Sequence, residues 1–373
     1  MEKKKRGKWL FAAMFMMMIC LPVPFWAAAG KHLSGASYEN RTMAEKPVFR
    51  LEEYDRYPKA YEAYLNDTLP FRDQLIQLNS RINYFAFRKA SNENVIVGKE
   101  GWLFYDGEDD GDPIGCYRGT NLFSQEELET IAKNLTDAER YLEERNVEFV
   151  LMIAPNKERM YPEMMPDYYG EPAERYAALQ LIEYLRECTD IRIVYPYEKL
   201  MEAKQELPEL PLYQKTDTHW NYAGAYVACT ALLGELQIDM PPLGDDRIQI
   251  KEIANVSSDL ADMLHLKNDL AGREVNYAIS GYDNHGVVND KWDFSTEFIY
   301  HSEGADQRKL FVCRDSFCSA MSDVLGSQFC ESYMIYNHIY TNAAFAEQEP
   351  DIFVLETAER YLRDLLVFDV EKE

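Results

Sequence analysis

This chain contains no Cys-x-x-Cys pair, no internal repeat, no Gly-x-Ser-x-Gly sequence and no low-complexity tract beyond its N-terminus. The first absence removes zinc-ribbon and thioredoxin-type readings. The second removes solenoids and propellers. Positive charge is also scarce: 39 Lys and Arg face 64 Asp and Glu, a net charge of -25. Nucleic acid, whose phosphates demand basic surface, is therefore excluded as a partner. Tight binding to a strongly anionic polymer would need a local cationic groove. Of the seven cysteines, Cys229 and Cys313 lie in apolar runs and read as small core residues. The spacing of the others is irregular and leaves disulfide pairing open.

One long uncharged run is present, from Trp9 to Ala29, behind the basic residues Lys3, Lys4, Lys5, Arg6 and Lys8. At a rise of roughly 1.5 Å per residue it matches a hydrocarbon core about 30 Å thick. The basic flank predicts a cytoplasmic N-terminus and an exported remainder. The small residues Ala27-Ala28-Ala29-Gly30 suit signal cleavage, so residues 1–30 read as a signal peptide or a membrane anchor. The remaining length exceeds one typical domain and can bury a large core.

Residues 31–120 read as an N-terminal extension. Within it, Leu51–Leu65 and Phe71–Lys89 carry helical apolar spacing, and 95–98 and 101–105 read as two short strands around a turn. Ser124 with Glu127 three residues on is a capping-box pattern opening a helix to about Arg145. From there the rhythm alternates. Strands are expected at 148–154, 191–195, 309–313, 332–336 and 351–355, with helices at 173–187, 221–236, 317–325 and 358–366. Such alternation predicts parallel βαβ units and a three-layer α/β core over 121–373. Residues 240–305 break the rhythm with turn signals and aromatics, and read as a β-containing insertion that shapes a groove.

Two short segments carry chemistry. Asp217-Thr218-His219-Trp220-Asn221 precedes a helix, and Asp315-Ser316-Phe317 follows the apolar run Leu310-Phe311-Val312-Cys313. Residues two apart share a side on an extended segment, not on a helix. Asp217 can then orient His219, with Trp220 walling a pocket. Alternatively, Asp217 caps the following helix and His219 is a surface residue. Ser316 sits where a strand turns into a helix, the carboxyl-end position at which ligands bind in open α/β sheets. A helix N-terminus there can hold an oxyanion. Equally, Ser316 or Asp315 is merely a cap. Asn156, Lys157 and Arg314 follow or end strands and are candidates to bind substrate. His285 and His301 fit no common zinc spacing, and neither a metal nor another cofactor is expected. Trp292, Phe294 and Tyr300 would suit sugar stacking, though such aromatics more often fill cores.

Lys215-Thr216-Asp217-Thr218-His219-Trp220-Asn221 resembles the signature of the DHHW family and of the related alginate O-acetyltransferases of the SGNH-hydrolase-like group. Threonine stands at 218 where that name implies histidine. Glu39-Asn40-Arg41 with Pro47, Gly98–Phe104, Pro155-Asn156-Lys157 with Tyr161-Pro162, Arg314–Phe317 and Glu359–Leu362 match in order. The resemblance implies an SGNH-hydrolase-like fold and a Ser316–His219–Asp217 triad. The implied activity is acetyl transfer to hydroxyls of a cell-surface polysaccharide through an acetyl-enzyme. It also implies acetyl delivery by an MBOAT-type membrane partner. A carbohydrate esterase with the same triad, or a non-catalytic glycan-binding or assembly protein, are the alternatives.

Overall fold

The computed structural model describes residues 2–20, 24, 44–68, 71–255, 257–270, 272, 274–303 and 305–373. It divides into two compact units, residues 1–91 with 264–266, and residues 92–263 with 267–373.

In the first unit, helices span Glu2–Cys20, Tyr57–Asp67 and Arg72–Arg81, the last continuing as a π-helical turn over Ile82–Ala86. No described helix is long and apolar enough to cross a membrane. This overturns the expected membrane partnership through the N-terminal segment. The physical reason is length: basic residues occupy the start of the Glu2–Cys20 helix. Its uncharged part, Trp9 to Cys20, spans only about 18 Å, short of a hydrocarbon core about 30 Å thick. The Ala27–Gly30 cleavage segment lies outside the described residues, as does Glu39-Asn40-Arg41.

The second unit is an α/β fold with helices flanking a mixed, largely parallel sheet. Strands β1 (Val95–Val97) and β2 (Leu103–Tyr105) form a hairpin. The main sheet holds β3 (Glu148–Ala154) and β4 (Arg192–Val194). A separate antiparallel pair is β5 (Gln249–Ala254) and β6 (Val275–Ser280). Strands β7 (Val288–Trp292), β8 (Glu297–His301), β9 (Asp306–Arg314), β10 (Phe329–Tyr336) and β11 (Ile352–Ala358) return to the main sheet. Its order is β4-β3-β11-β9-β10-β8-β7. The first five are parallel, and β8 and β7 add an antiparallel edge.

Period-two alternation sorts the strand residues between two cores. Val150, Met152, Val312 and Val354 face one side, beneath the helix Tyr222–Glu235. Phe149, Leu151, Ile153, Phe311 and Phe353 face the other, against helices Gln125–Glu143 and Ala177–Cys188. The helix 125–143 begins as its sequence requires: Ser124 Oγ accepts from Glu127 N–H at 3.2 Å, and Glu127 accepts from Ser124 N–H at 2.7 Å. It buries Leu128, Ile131, Leu135, Ala138 and Leu142 along one stripe. The helix 222–235 is buried nearly all round, which suits its Ala- and Gly-rich sequence. At Gly224 a Cβ would lie 2.1 Å from the Leu212 carbonyl oxygen, so only glycine lets the helix start this close to the preceding loop.

Three expectations change. Residues 317–326 form a 3-10 turn (Phe317–Ala320) followed by a short α-helix (Ser322–Gly326), and 359–366 is 3-10 rather than α-helical. Helices at Pro113–Arg118, Tyr197–Glu206 and Asn342–Gln348 carried too little periodicity to be read. Within the expected insertion, β7 and β8 are antiparallel strands that extend the main sheet. No two of the described cysteines are paired.

Candidate active site

The segment 213–221 is a tight loop. Tyr213 and Trp220 bridge in antiparallel fashion, Gln214 N–H donates to His219 O at 3.1 Å, and Asn221 N–H donates to Leu212 O at 3.0 Å. Asn221 caps the next helix, its Oδ1 accepting from Ala223 N–H at 2.9 Å and Gly224 N–H at 3.0 Å. Asp217 is thereby released from the capping role that competed with catalysis. Its carboxylate is fully buried. One oxygen accepts from His219 N–H at 3.0 Å and from His219 Nδ1 at 2.6 Å. The other accepts from Asp259 N–H at 2.9 Å and from the Ser257 hydroxyl.

Ser316 follows β9 with its side chain free of any cap bond. Asp315 does the capping: it accepts from Phe317 N–H at 2.8 Å and, across the sheet, from Ala358 N–H at 2.6 Å. Ser316 Oγ lies 2.7 Å from His219 Nε2. With Nδ1–H held by the Asp217 carboxylate, neutral His219 presents Nε2 as the acceptor for the Ser316 proton. Sequence-distant residues thus meet in the chain order Asp, His, Ser.

Electrostatics match this geometry. Burial opposes charge on His219, but the Asp217 charge and hydrogen bond outweigh it and raise the imidazole above its ordinary 6.5. Burial likewise opposes charge on Asp217, and His219 together with the Ser257 and Asp259 hydrogen bonds holds its carboxyl well below the usual range. Asp217, His219 and Asp259 offer ligand atoms within 4.8 Å of one another. Their lone pairs are already engaged: Asp259 accepts from Thr218 N–H at 2.8 Å and from the Thr218 hydroxyl. Threonine at 218 therefore has a partner of its own.

The other expected substrate contacts are placed differently. Lys157 is buried, and its ammonium donates to the carbonyls of Leu103 (2.6 Å), Asp217 (2.8 Å) and Lys215 (3.0 Å). Burial draws it down to about 8. Only the ammonium has three protons for three acceptors. Arg314 is buried too, donating to Asp315 O at 3.2 Å and Phe294 O at 2.9 Å, 3.9 Å over the Phe298 ring. Trp220 is buried beneath the loop, its Nε1–H on Phe317 O at 3.0 Å. These three side chains turn inward and hold the loops. Asn156 is different: it is buried, and both its amide nitrogen and its oxygen lack a partner.

Sequence reasoning missed four residues. Glu274 accepts from Thr216 N–H at 3.1 Å, from Thr216 Oγ1 at 2.6 Å and from Lys215 N–H. Asp259 and Ser257 hold Asp217 from the insertion. No spacing signal announces any of these three, since they lie far along the chain. Arg360 was discoverable by the logic that found Asn156, because it follows a buried strand end. Its guanidinium lies 5.2 Å over the Phe317 ring, its Nε lacks a partner, and Phe317 in turn lies 4.7 Å from the His219 ring.

The fold, a largely parallel sheet with helices on both faces, has the SGNH-hydrolase-like architecture. Residues 95–277 match the family described as SGNH hydrolase-like domain, acetyltransferase AlgX. That stretch contains Asp217 and His219 and ends before Ser316. Over that stretch, just under half of its length, the chain is similar to this SGNH-hydrolase-like family. It is 27% identical over 186 residues to a probable alginate O-acetylase AlgJ of Pseudomonas aeruginosa, covering 49% of this chain and 44% of that protein. It is 28% identical over 218 residues to the probable alginate O-acetylase AlgJ of Pseudomonas syringae pv. tomato, covering 57% and 51%. The chain thus spans about half the length of the curated relatives it matches. The solved structure of Bacillus cereus PatB1 with a sulfonyl adduct aligns with a TM-score of 0.53 at 16% identity, over 74% of this chain and 99% of that one. A DHHW family protein from Eubacterium siraeum aligns at 0.51 and 15% identity, over 75% and 99%. At such identities these structures speak for the fold alone.

Proposed function

We propose that this chain is an exported serine acyl-transfer enzyme that moves acetyl groups onto hydroxyls of a surface polysaccharide. The observation that carries the reading is the continuous array Ser316 Oγ–His219 Nε2 (2.7 Å) and His219 Nδ1–Asp217 (2.6 Å), with helix capping delegated to Asn221 and Asp315. The likeness to probable alginate O-acetylases AlgJ supports acetyl as the group and a polysaccharide as its acceptor.

The chemistry follows from the array. His219 Nε2 takes the Ser316 proton as Oγ bonds to the acetyl carbonyl carbon. The buried Asp217 carboxylate supports the imidazolium so formed. Rim donors receive the oxyanion; the unpartnered Asn156 amide and the Arg360 guanidinium are the candidates. The C–O bond to the leaving alcohol breaks as His219 returns the proton to it. A sugar hydroxyl then attacks the Ser316 ester, with His219 again as base, and Ser316 recovers its proton. Water as the attacking group would make the same array an esterase.

The test is hydrolysis of a chromogenic acetate ester by the wild type beside Ser316→Ala, His219→Ala and Asp217→Ala, with intact-mass detection of a Ser316 acetyl adduct. Loss in all three folded variants is expected. Undiminished turnover by Ser316→Ala would remove the nucleophile. Partition of the adduct between added glycan and water separates transfer from hydrolysis.

A further inference from the structure

A groove of about 450 Å³ opens beside the candidate active site, within the second unit. It begins at Tyr222 and Ser319, each three residues beyond His219 and Ser316 respectively. Its walls come from the insertion: Tyr277 and Tyr282 around β6, and Asn289 and Trp292 on β7. Its size falls in the range of ligand sites, roughly 300–1,000 Å³.

The side chains in it are of an unusual kind for a soluble surface. Trp292 is 52% exposed while its ring stacks at 5.0 Å and 10° on buried Phe298, so a large apolar face is held rigid toward solvent. Tyr222 is 41% exposed. Exposed aromatic faces with few, fixed polar groups suit a ring that is apolar on its faces and polar at its edge. Polar groups are present: Asn289 on the rim, and Asp323, which is fixed by the Tyr300 hydroxyl at 2.8 Å. Also in the lining, the Ser319 hydroxyl is shielded from solvent and has no partner.

Charge selects among glycans. The lining contains one carboxylate, Asp323, and no lysine or arginine. A polyuronate placed here would bring carboxylates beside Asp323 with no cation to meet them, in a protein of net charge -25. A neutral chain meets no such penalty.

We propose that this groove is the acceptor subsite for a neutral glycan, so that the chain acts on an uncharged polysaccharide rather than on a polyuronate. The proposal rests on the reading of Ser316–His219–Asp217 as an acyl-transfer site and assigns its substrate class. Trp292 and Tyr222 stack on sugar rings, and the chain runs from them past Ser319 toward Ser316.

The test uses the full chain carrying Ser316→Ala, so that binding is read without turnover. Calorimetric titration with cellohexaose and chitohexaose supplies neutral probes, and a mannuronate hexamer at the same ionic strength supplies the anionic one. At least one neutral hexamer binds, more tightly than the mannuronate hexamer. Trp292→Ala and Tyr222→Ala each weaken it about tenfold. Asn289→Lys, a change at an exposed position, raises mannuronate affinity. Tighter binding of mannuronate, no binding of either neutral hexamer, or neutral binding indifferent to both aromatic variants overturns the proposal. Ester hydrolysis by the wild type is measured in parallel. Hydrolysis without neutral binding removes the groove and leaves the triad. Neutral binding without any hydrolysis leaves a glycan site and removes the enzyme reading.

Discussion

The two loops that meet at Ser316 and His219 are held by opposite means. The 315–320 turn is held by its sheet: Asp315 ties its own N-terminus to the end of β11 through Ala358, and Glu356 of β11 accepts from Asp315 N–H at 2.9 Å. The 213–221 loop lies outside the main sheet, with one backbone tie to β2, Leu103 N–H on Lys215 O at 2.8 Å. It is held mainly by charged side chains brought from elsewhere: buried Lys157 on its carbonyls, partly buried Glu274 and Asp259 on its N–H groups. Strand ends position a nucleophile cheaply because neighbouring strands already fix the backbone. An irregular loop exposes unpaired polar groups and must find a partner for each, since a buried orphan costs about 1–3 kcal/mol. The base of the candidate site is therefore the part most sensitive to residues that never touch substrate.

The largest effect tests the shared centre. Ser316→Ala and Asp217→Asn should each lower kcat for ester hydrolysis by about 10⁴, the scale at which such arrays fail. Circular dichroism of both variants checks that the fold persists. Next comes the rim. Asn156→Ala should lower kcat by about 10² with KM little changed, the signature of a donor felt mainly in the transition state. A change confined to KM would instead make it a ground-state contact.

The comparison of loops is broken or sharpened by Lys157→Met. Removing the ammonium takes a donor from three carbonyls, of which Lys215 O keeps the Leu103 N–H at 2.8 Å, and thermal or urea unfolding should show a loss of about 3 kcal/mol. Activity should fall with it, because His219 loses its fixed position. The corresponding change on the other side, Arg314→Met, should cost stability with less effect on the rate, since the turn keeps its sheet contacts. Equal kinetic losses would abolish the distinction.

The smallest effect is in pH. In the proposed mechanism neutral His219 is the base, and its pKa lies above the ordinary 6.5, so the acidic limb of kcat/KM should have its midpoint above 6.5 and activity should rise as pH rises through it. Burial opposes and Asp217 chiefly supports the imidazolium, with Asp259, 3.7 Å from Nδ1, adding to it. Asp259→Asn should therefore move the limb to lower pH. A limb that stays in place would confine Asp259 to holding the Thr218 backbone. Because the same three side chains come within 4.8 Å of one another, a chelator control is informative: activity of the proposed triad should survive it unchanged.

Particular residues show how far the chain could be read. The alternation of apolar strands with amphipathic helices was legible at β3, β9 and β11, because burial on both faces leaves a continuous apolar run. The Ser124 capping box was legible because its partners are three residues apart. The meeting of Asp217 and His219 was legible as a two-residue spacing, but the capping alternative was closed only by Asn221 taking the helix N-terminus. Lys157, Arg314 and Trp220 were expected to face substrate, and their side chains are buried and bonded to backbone carbonyls. A polar side chain at a strand end points outward or inward according to which backbone groups behind it need a partner, and spacing does not encode that.

What the sequence by itself determined is the layered α/β class, the order of its core strands, and three chemically competent side chains. Those follow from local periodicity and residue chemistry, which act over a few residues. Only the tertiary structure decided that Ser316 and His219, 97 residues apart, meet at 2.7 Å. It alone also placed Glu274, Asp259 and Ser257 beneath the loop, and turned the insertion into one wall of an aromatic groove. Those outcomes depend on packing and on satisfying every buried polar group at once, conditions the whole fold imposes.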